Sequence, residues 1–287
     1  MRTIRLCPLL LLGLVVFTGC NRPAPPSERD VIYGTAGDQQ LRLDVYRPQS
    51  PGPHPAVLTI HGGAWRAGDK SKVAALSRRL AEAGFVCFAI NYRLAPRYPF
   101  PAQMDDCAQA VGYVRSRAAR YDVDPNRIAA WGESAGGQLA LLLGVAEPNR
   151  FALNPKAAQS EQVNAVVAFF SPADFRDSAS WPLITRRYAR DFFGGQPSET
   201  IDLRTQASPA AHVSAQCCPV LLVHGDRDLL VPIEQSRLMK AALDEAGIEN
   251  RLIIVPGAGH NLTKVPQQQV AQAYAESLQW LQAHLHR

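Results

Sequence analysis

A serine between two glycines is the first residue whose surroundings could support chemistry. Ser134 lies in the run Gly132-Glu133-Ser134-Ala135-Gly136, between an apolar strand-like segment and a helix-like segment rich in alanine and leucine. A sharp turn from strand to helix can present such a serine hydroxyl as a nucleophile. Because the short pattern also arises by chance, the rest of the chain must supply a base, an acid and an oxyanion hole.

Two adjacent glycines provide a candidate oxyanion hole. Gly62 and Gly63 belong to the run His61-Gly62-Gly63-Ala64-Trp65, which directly follows the apolar run at residues 56–60. Without side chains in the way, their backbone N–H groups can point at a developing oxyanion. The N–H group of Ala135, the residue after the serine, is the expected second donor.

A histidine and an aspartate later in the chain complete a candidate triad. His260 lies in a glycine-rich loop after the last apolar run, whereas the other histidines lie at strand ends, among prolines, in an irregular segment or at the terminus. Asp226 and Asp228 both follow the strand-like run at residues 220–224, where a triad acid should lie. Spacing alone does not choose between them.

Short apolar runs that alternate with longer helix-like segments would position these residues. This alternation predicts an α/β fold in which helices cover both faces of a mostly parallel, eight-stranded sheet. The first two strands are close enough in sequence to form an antiparallel hairpin. The eight strand candidates are residues 31–35, 41–46, 56–60, 85–91, 127–131, 163–170, 220–224 and 251–255.

Residues 172–212 interrupt the alternation. The segment is rich in Ser, Trp, Arg, Phe and Gly and lies between two buried-type strands. We interpret it as an insertion of short helices over the carboxyl edge of the sheet, where ligands bind in open α/β folds. The alternative is a surface excursion that does not touch substrate. Its aromatic residues Trp181, Tyr188 and Phe192 could line a pocket or pack in the core.

The first residues have the pattern of an export signal. Two arginines precede an apolar run at residues 6–17, and the segment ends in Phe17-Thr18-Gly19-Cys20. This ending resembles a bacterial lipobox, although Phe17 replaces the usual leucine. We therefore expect a signal peptide at residues 1–19 and lipid modification of Cys20. The alternative is an ordinary secretory signal that leaves Cys20 as a free thiol.

The predicted mature protein is a tether followed by one domain. Residues 20–30, which include a proline-rich run, form the expected tether, and residues 31–287 form the catalytic domain. Lipidation would place the domain on a bacterial membrane, facing the periplasm or the exterior.

Composition excludes some other classes of partner. The formal net charge of +5 falls to +3 when Arg2 and Arg5 leave with the signal, and the remaining basic residues are scattered, so we expect no nucleic-acid binding. The six cysteines show no metal-binding spacing, and no cofactor or metal is expected. Cys87 lies in an apolar run and is expected to be a buried thiol. A disulfide at Cys217 or Cys218 remains open.

Several motifs together resemble the esterase/lipase branch of the α/β-hydrolases, in particular the bacterial feruloyl-esterase-like and hormone-sensitive-lipase-like groups. The similarity extends from about residue 35 to residue 285. The motifs are His61-Gly62-Gly63-Ala64-Trp65 with Gly68-Asp69-Lys70, Asn91-Tyr92-Arg93-Leu94-Ala95-Pro96 with Phe100-Pro101-Ala102, Gly132 to Ala140, and Asp228-Leu229-Leu230-Val231-Pro232.

The resemblance implies an α/β-hydrolase fold and a serine carboxylic-ester hydrolase that acts through an acyl-enzyme on small acyl or carbohydrate-linked esters. It favours Asp228 over Asp226 as the acid, and it implies an ion pair between Arg93 and Asp106 behind the oxyanion loop. The chain departs from the family pattern at Ala64, where a third glycine is common. Alternatives are a serine peptidase resembling the prolyl oligopeptidases and a catalytically silent, lipid-anchored binding protein.

Overall fold

Three stretches of the chain are described by the computed structural model, namely residues 26–147, 162–177 and 181–286. The predicted signal peptide, Cys20 and the first part of the tether lie outside them. Among the described residues, no helix has both the length and the apolar composition needed to cross a membrane.

Eight strands form one sheet in the order β1-β2-β4-β3-β5-β6-β7-β8. β2 pairs antiparallel with β1 and β4, and the remaining neighbours are parallel, which confirms the predicted α/β-hydrolase fold. The strands are β1 (Glu28–Ala36), β2 (Gln39–Tyr46), β3 (His54–Ile60), β4 (Val86–Ile90), β5 (Val123–Glu133), β6 (Ala165–Phe169), β7 (Val220–Gly225) and β8 (Asn250–Val255).

Helices cover both faces of the sheet. The α-helices are α1 (Ala74–Glu82), α2 (Ala102–Ser116), α3 (Ala118–Tyr121), α4 (Ala135–Val145), α5 (Leu183–Phe193), α6 (Ile201–Gln206), α7 (Glu234–Glu245) and α8 (Gln267–Leu285). The core on one face includes residues of α2, α4, α5 and α7, and the core on the other includes residues of α1 and α8. Every residue of β3, β4 and β6 is buried, as expected for strands covered on both sides.

The first strand begins earlier than the sequence suggested. Residues 28–30, which we expected in the tether, belong to β1 and not to a free linker. Glu28 pairs with Val45, and the Asp30 N–H donates to Asp44 Oδ1 at 2.9 Å. The polar residues of this edge strand gave no apolar signal, so its start was missed.

The segment between β6 and β7 contains short helices, as predicted. It holds α5, α6 and the 3₁₀ turns Pro197–Glu199 and Pro209–Ala211. Trp181 and Phe192 are buried in the core, so for these two residues the packing alternative is the correct one. The Thr185 hydroxyl donates to Leu230 O at 2.6 Å, which fixes α5 beside the loop that follows β7.

Four described cysteines are free thiols. Cys87, Cys107 and Cys218 are buried, which confirms the expectation for Cys87, and Cys217 is half-buried. Burial raises the pKa of the Cys87 thiol well above its ordinary value, so it is unreactive as a nucleophile.

Candidate active site

Ser134 occupies a strained turn between β5 and α4. Its backbone has φ +52° and ψ −118°, a conformation that a residue with a side chain rarely adopts. The flanking glycines allow this turn, since a Cβ on Gly132 would lie 2.0 Å from Gly136 O and one on Gly136 would lie 2.2 Å from Ile60 O. The Ser134 N–H donates to Phe169 O at 2.8 Å and anchors the turn to β6.

His260 links the serine to a carboxylate. Its Nε2 lies 3.1 Å from Ser134 Oγ, and its Nδ1 lies 2.7 Å from Asp228 Oδ2. Because an ionised carboxylate only accepts hydrogen bonds, Nδ1 donates to Asp228 and Nε2 is left to accept the serine proton. The ring of Phe170 packs edge-on against the imidazole at 4.8 Å and holds its orientation.

Asp228 is a buried carboxylate whose oxygens are surrounded by hydrogen-bond donors of the protein. Its Oδ1 accepts the N–H groups of Leu230 at 2.8 Å and Val231 at 2.9 Å. Its Oδ2 contacts His260 and lies 3.3 Å from His224 Nε2. Burial would raise the pKa of Asp228, but the contacts with His224 and His260 outweigh burial and hold this pKa well below its usual range. The acid is therefore ionised at neutral pH.

Asp226 has a different position and a different partner. Its side chain is exposed, and its Oδ1 accepts the Gly257 N–H at 2.6 Å. This bond fixes the glycine-rich loop that carries His260. Of the two aspartates that spacing left open, the structure brings Asp228 to the imidazole, as the family resemblance implied.

The predicted oxyanion donors Gly62 and Gly63 line the same cavity as the serine. A Cβ on Gly62 would lie 3.3 Å from Ser134 Cβ, and one on Gly63 would lie 2.0 Å from Ala67 O. Gly63 has φ +125°, which favours glycine. Within the described residues, the N–H groups of Gly62, Gly63 and Ala135 donate no hydrogen bond. The Ala135 N–H also lies at the N-terminus of α4, where backbone N–H groups favour an anion.

The oxyanion loop keeps its shape without a third glycine. Ala64 and Trp65 have φ +52° and φ +59°, in the left-handed region. Arg66 N–H and Ala67 N–H both donate to Gly63 O, at 3.1 Å and 3.0 Å, which closes the loop. Ala64 thus adopts the conformation that a third glycine would adopt with less strain.

A buried network holds this loop against the nucleophile helix. Trp65 Nε1 donates to Gln138 Oε1 at 2.9 Å, and Gln138 Nε2 donates to Ala207 O at 2.8 Å. The Trp65 ring stacks on Phe192 at 4.2 Å. Trp65 therefore packs the loop in place and is buried away from the substrate space. Sequence reasoning did not identify this role of Gln138.

Two further interactions support the loop from behind. Arg93 forms a bidentate ion pair with buried Asp106, with Nη2 to Oδ1 at 2.7 Å and Nε to Oδ2 at 3.0 Å, which confirms the predicted pair. His61 stacks on Tyr92 at 4.3 Å, and the Tyr92 hydroxyl donates to His61 O at 2.9 Å. These contacts fix the end of β3, from which the oxyanion loop leaves the sheet.

Ser134 and His260 line a cavity of about 810 Å³. The oxyanion loop forms one wall, and the insertion contributes Ile184, Arg187 and Tyr188 of α5. The insertion therefore lines the substrate space, and Tyr188 lies in its wall as one of our interpretations allowed. Sequence reasoning missed Arg187, although its spacing from Ile184 and Tyr188 places all three on one helical face.

A second carboxylate lies beside the serine. Glu133 lines the same cavity, and its Oε1 accepts the Tyr274 hydroxyl at 2.8 Å. Burial raises the pKa of Glu133, while Tyr274 and the nearby His260 act in the opposite direction. Among the described residues, no group of histidine, cysteine and acidic side chains is arranged to hold a metal ion.

Comparison with known proteins adds a family and several relatives. The BD-FAE family model matches residues 43–243. Esterase LipQ of Mycobacterium tuberculosis is 31% identical over 247 residues, which cover 83% of this chain and 57% of LipQ. The chain spans about half to three fifths of the length of the curated relatives it matches, between 49% and 59%.

Two solved structures share the fold over nearly their full length. A truncated carbohydrate esterase from gut microbiota superposes with a TM-score of 0.77 and 27% identity, covering 91% of this chain and 96% of that one. A thermophilic esterase of Thermogutta terrifontis with propionate bound gives a TM-score of 0.76 and 26% identity, with 90% and 94% covered.

Proposed function

Because the chain belongs to the BD-FAE family and has the α/β-hydrolase fold, we propose that it is a serine carboxylic-ester hydrolase. The observation that carries the proposal is the continuous contact from Ser134 Oγ through the His260 ring to Asp228, beside three free N–H groups. This arrangement supplies a nucleophile, a base, an orienting acid and an oxyanion hole in one place.

The proposed reaction proceeds through an acyl-enzyme. His260 Nε2 takes the hydroxyl proton as Ser134 Oγ attacks the ester carbonyl carbon, and Asp228 stabilises the imidazolium. The tetrahedral oxyanion accepts hydrogen bonds from Ala135 and from Gly62 or Gly63, each donor being worth roughly 3 kcal/mol of barrier. His260 then protonates the leaving alcohol. A water molecule repeats the cycle and releases the acid.

We propose small acyl or carbohydrate-linked esters as substrates. The cavity of about 810 Å³ is large enough for a short acyl group together with a sugar, and its wall mixes apolar and polar residues. The two similar structures support both substrate classes, since one is a carbohydrate esterase and the other is an esterase with propionate, a short acyl product, bound. The assembled triad speaks against a silent binding protein, and no observation favours a peptidase.

The proposed setting is outside the cytoplasm. The lipobox-like ending at Cys20 supports an exported protein that is lipid-anchored to a bacterial membrane and faces the periplasm or the exterior. The domain would then meet its ester substrates at a membrane surface.

Hydrolysis of a short p-nitrophenyl ester tests the proposed function. The wild type should release p-nitrophenol from the acetyl or butyryl ester, and Ser134→Ala should lower kcat by roughly 10⁴-fold or more. Ser116→Ala, an exposed serine on α2, is the matched control and should keep the wild-type rate. Equal rates in wild type and Ser134→Ala, with both proteins folded, would reject the proposal. A panel of acetyl, butyryl, feruloyl and long-chain esters would then define the acyl group.

A further inference from the structure

The cavity beside Ser134 has unpaired positive charge in its wall. From this charge we infer that the preferred ester carries a carboxylate on its acyl or alcohol part, bound by Arg187 and Lys72. The inference rests on the proposed esterase function and narrows the substrate class of that same site.

Three basic side chains line the cavity, and only one of them has an acidic partner. Arg66 Nη1 lies 2.7 Å from Asp191 Oδ2, and the guanidinium lies over the Tyr188 ring at 5.7 Å. The side chains of Arg187 and Lys72 form no ion pair and no hydrogen bond with any part of the chain that the structure describes, although the Lys72 backbone N–H donates to Asp69 O at 3.0 Å. They are therefore available to a ligand.

Lys72 contrasts with its neighbour Lys70 in the same 3₁₀ turn, Lys70–Val73. Lys70 Nζ lies 3.0 Å from Asp30 Oδ1 and 2.9 Å from Asp44 Oδ1, so its charge is used to fix the turn to β1 and β2. Lys72 is exposed and reaches the cavity wall instead. Lys70 therefore has a structural role, whereas the charge of Lys72 is available to a ligand in the cavity.

Arg187 is directed to the cavity by the packing of α5. Thr185, Ala189, Phe192 and Phe193 are the buried residues of this helix. Ile184, Arg187 and Tyr188, at positions i, i+3 and i+4, share a different face and line the cavity together. An arginine next to an isoleucine and a tyrosine can bind a planar carboxylate with two N–H groups while the apolar neighbours exclude water.

Among the described residues, one carboxylate lines the cavity, and it does not neutralise both cations. Glu133 is half-buried, and its Oε1 accepts the hydroxyl of Tyr274, a residue of α8, at 2.8 Å. With Arg66 balanced by Asp191, the described wall has two unpaired cations against one carboxylate, an excess of one positive charge. A substrate with one negative charge balances this excess, whereas a neutral ester leaves it uncompensated.

Matched ester pairs test the inference. For the acyl side, the pair is p-nitrophenyl butyrate and p-nitrophenyl hemisuccinate, which differ in a terminal methyl or carboxylate group. For the alcohol side, the pair is an acetylated methyl glucoside and the corresponding acetylated methyl glucuronoside. We expect kcat/KM at low salt to favour the charged member of one pair by about tenfold, and we expect added salt to reduce this preference.

Variants that remove one positive charge show which residue causes the preference for the charged ester. Arg187→Gln should lower the ratio of kcat/KM for the charged ester over the neutral one by about five- to tenfold, and Lys72→Gln should lower it less. Arg186→Gln removes the same charge from the same helix but outside the cavity wall, so it should leave the ratio unchanged.

Three outcomes would overturn the inference. The first is no preference for the charged member of either pair, and the second is an equal effect of Arg186→Gln and Arg187→Gln. Both leave the esterase intact, because the neutral esters still turn over. The third is no turnover of any ester, which rejects the proposed function itself and removes the basis of the inference.

Discussion

Asp226 and Asp228 show how two identical side chains, two positions apart, acquire different roles. Asp228 is buried and contacts two backbone N–H groups and two imidazoles, whereas Asp226 is exposed and accepts the Gly257 N–H. Local sequence places both on the same loop. Which of the two carboxylates meets His260 depends on a loop after β8, 32 residues beyond Asp228. The spacing of residues along the chain does not predict such a long-range contact.

The two aspartates give a matched pair of variants. Asp228→Asn removes the charge that stabilises the imidazolium and favours the correct tautomer, so kcat should fall by roughly 10³- to 10⁴-fold. Asp226→Asn only weakens a bond that fixes the His260 loop, and kcat should fall by less than about tenfold. Steady-state kinetics on a p-nitrophenyl ester measures both. A larger loss in Asp226→Asn than in Asp228→Asn would contradict the assignment.

His61 supplies a prediction on pH. The ring is buried, its Nδ1 donates to Gly62 O at 2.8 Å, and its Nε2 has no partner among the described residues. Burial lowers the pKa of His61 below its ordinary value of 6.5, although the bond to Gly62 acts in the opposite direction. Because the unfolded chain then takes up a proton that the folded chain resists, His61 makes folding less favourable as pH falls below about 6.5.

Nuclear magnetic resonance can follow this imidazole directly. We expect the His61 ring resonances to remain those of the neutral form when the pH is lowered through 6.5, while an exposed histidine titrates there. The free energy of unfolding should decline over the same range. A His61 titration midpoint at or above 6.5 would show that the ring is not held neutral by burial.

At the scale of elements, the sheet was more predictable than the supports of the site. All eight strands were anticipated, although the start of β1 was missed. The central strands were clear because buried parallel strands are continuous apolar runs that crossover helices must separate. The network that joins Trp65, Gln138 and Ala207 was not anticipated. It connects the oxyanion loop, α4 and the insertion through two hydrogen bonds that span 73 and 69 positions of sequence. A single glutamine inside an apolar helix has no periodic signature.

Gln138→Leu tests how much this network contributes. The substitution keeps the volume of the side chain but leaves the buried Trp65 N–H and Ala207 carbonyl without partners. We expect the free energy of unfolding to fall by about 2–4 kcal/mol, measured by urea denaturation. The same change at exposed Gln268 on α8 should cost less than about 0.5 kcal/mol. Similar values for the two variants would mean that the network is not important for stability.

At the scale of the whole molecule, the sequence suggests a catalytic domain attached to a membrane surface. The described part of the chain contains the complete candidate site, and the proposed anchoring signal precedes it in sequence. The proposed anchor is supported by the sequence pattern alone, at Phe17-Thr18-Gly19-Cys20. The proposed substrate preference depends on which residues of α5 line the cavity. The sequence alone did not show which face of α5 points to the cavity, so it could not predict this preference.

Cell fractionation tests the anchor. In a bacterial host, the wild type should partition with membranes, and Cys20→Ser should move it to the soluble fraction because no acyl chains can be attached. Cys217→Ser, a half-buried cysteine in the domain, should leave the partition unchanged. Membrane association that persists in Cys20→Ser would reject lipidation at this residue.

Labelling by a fluorophosphonate tests the central claim most directly. The reagent reacts only with a serine that a neighbouring base activates, and mass spectrometry identifies the residue that carries the adduct. We expect one adduct per chain on Ser134, loss of ester hydrolysis in proportion to labelling, and no adduct in His260→Ala. A protein that remains unlabelled, or that is labelled at another residue while hydrolysis continues, would contradict the account.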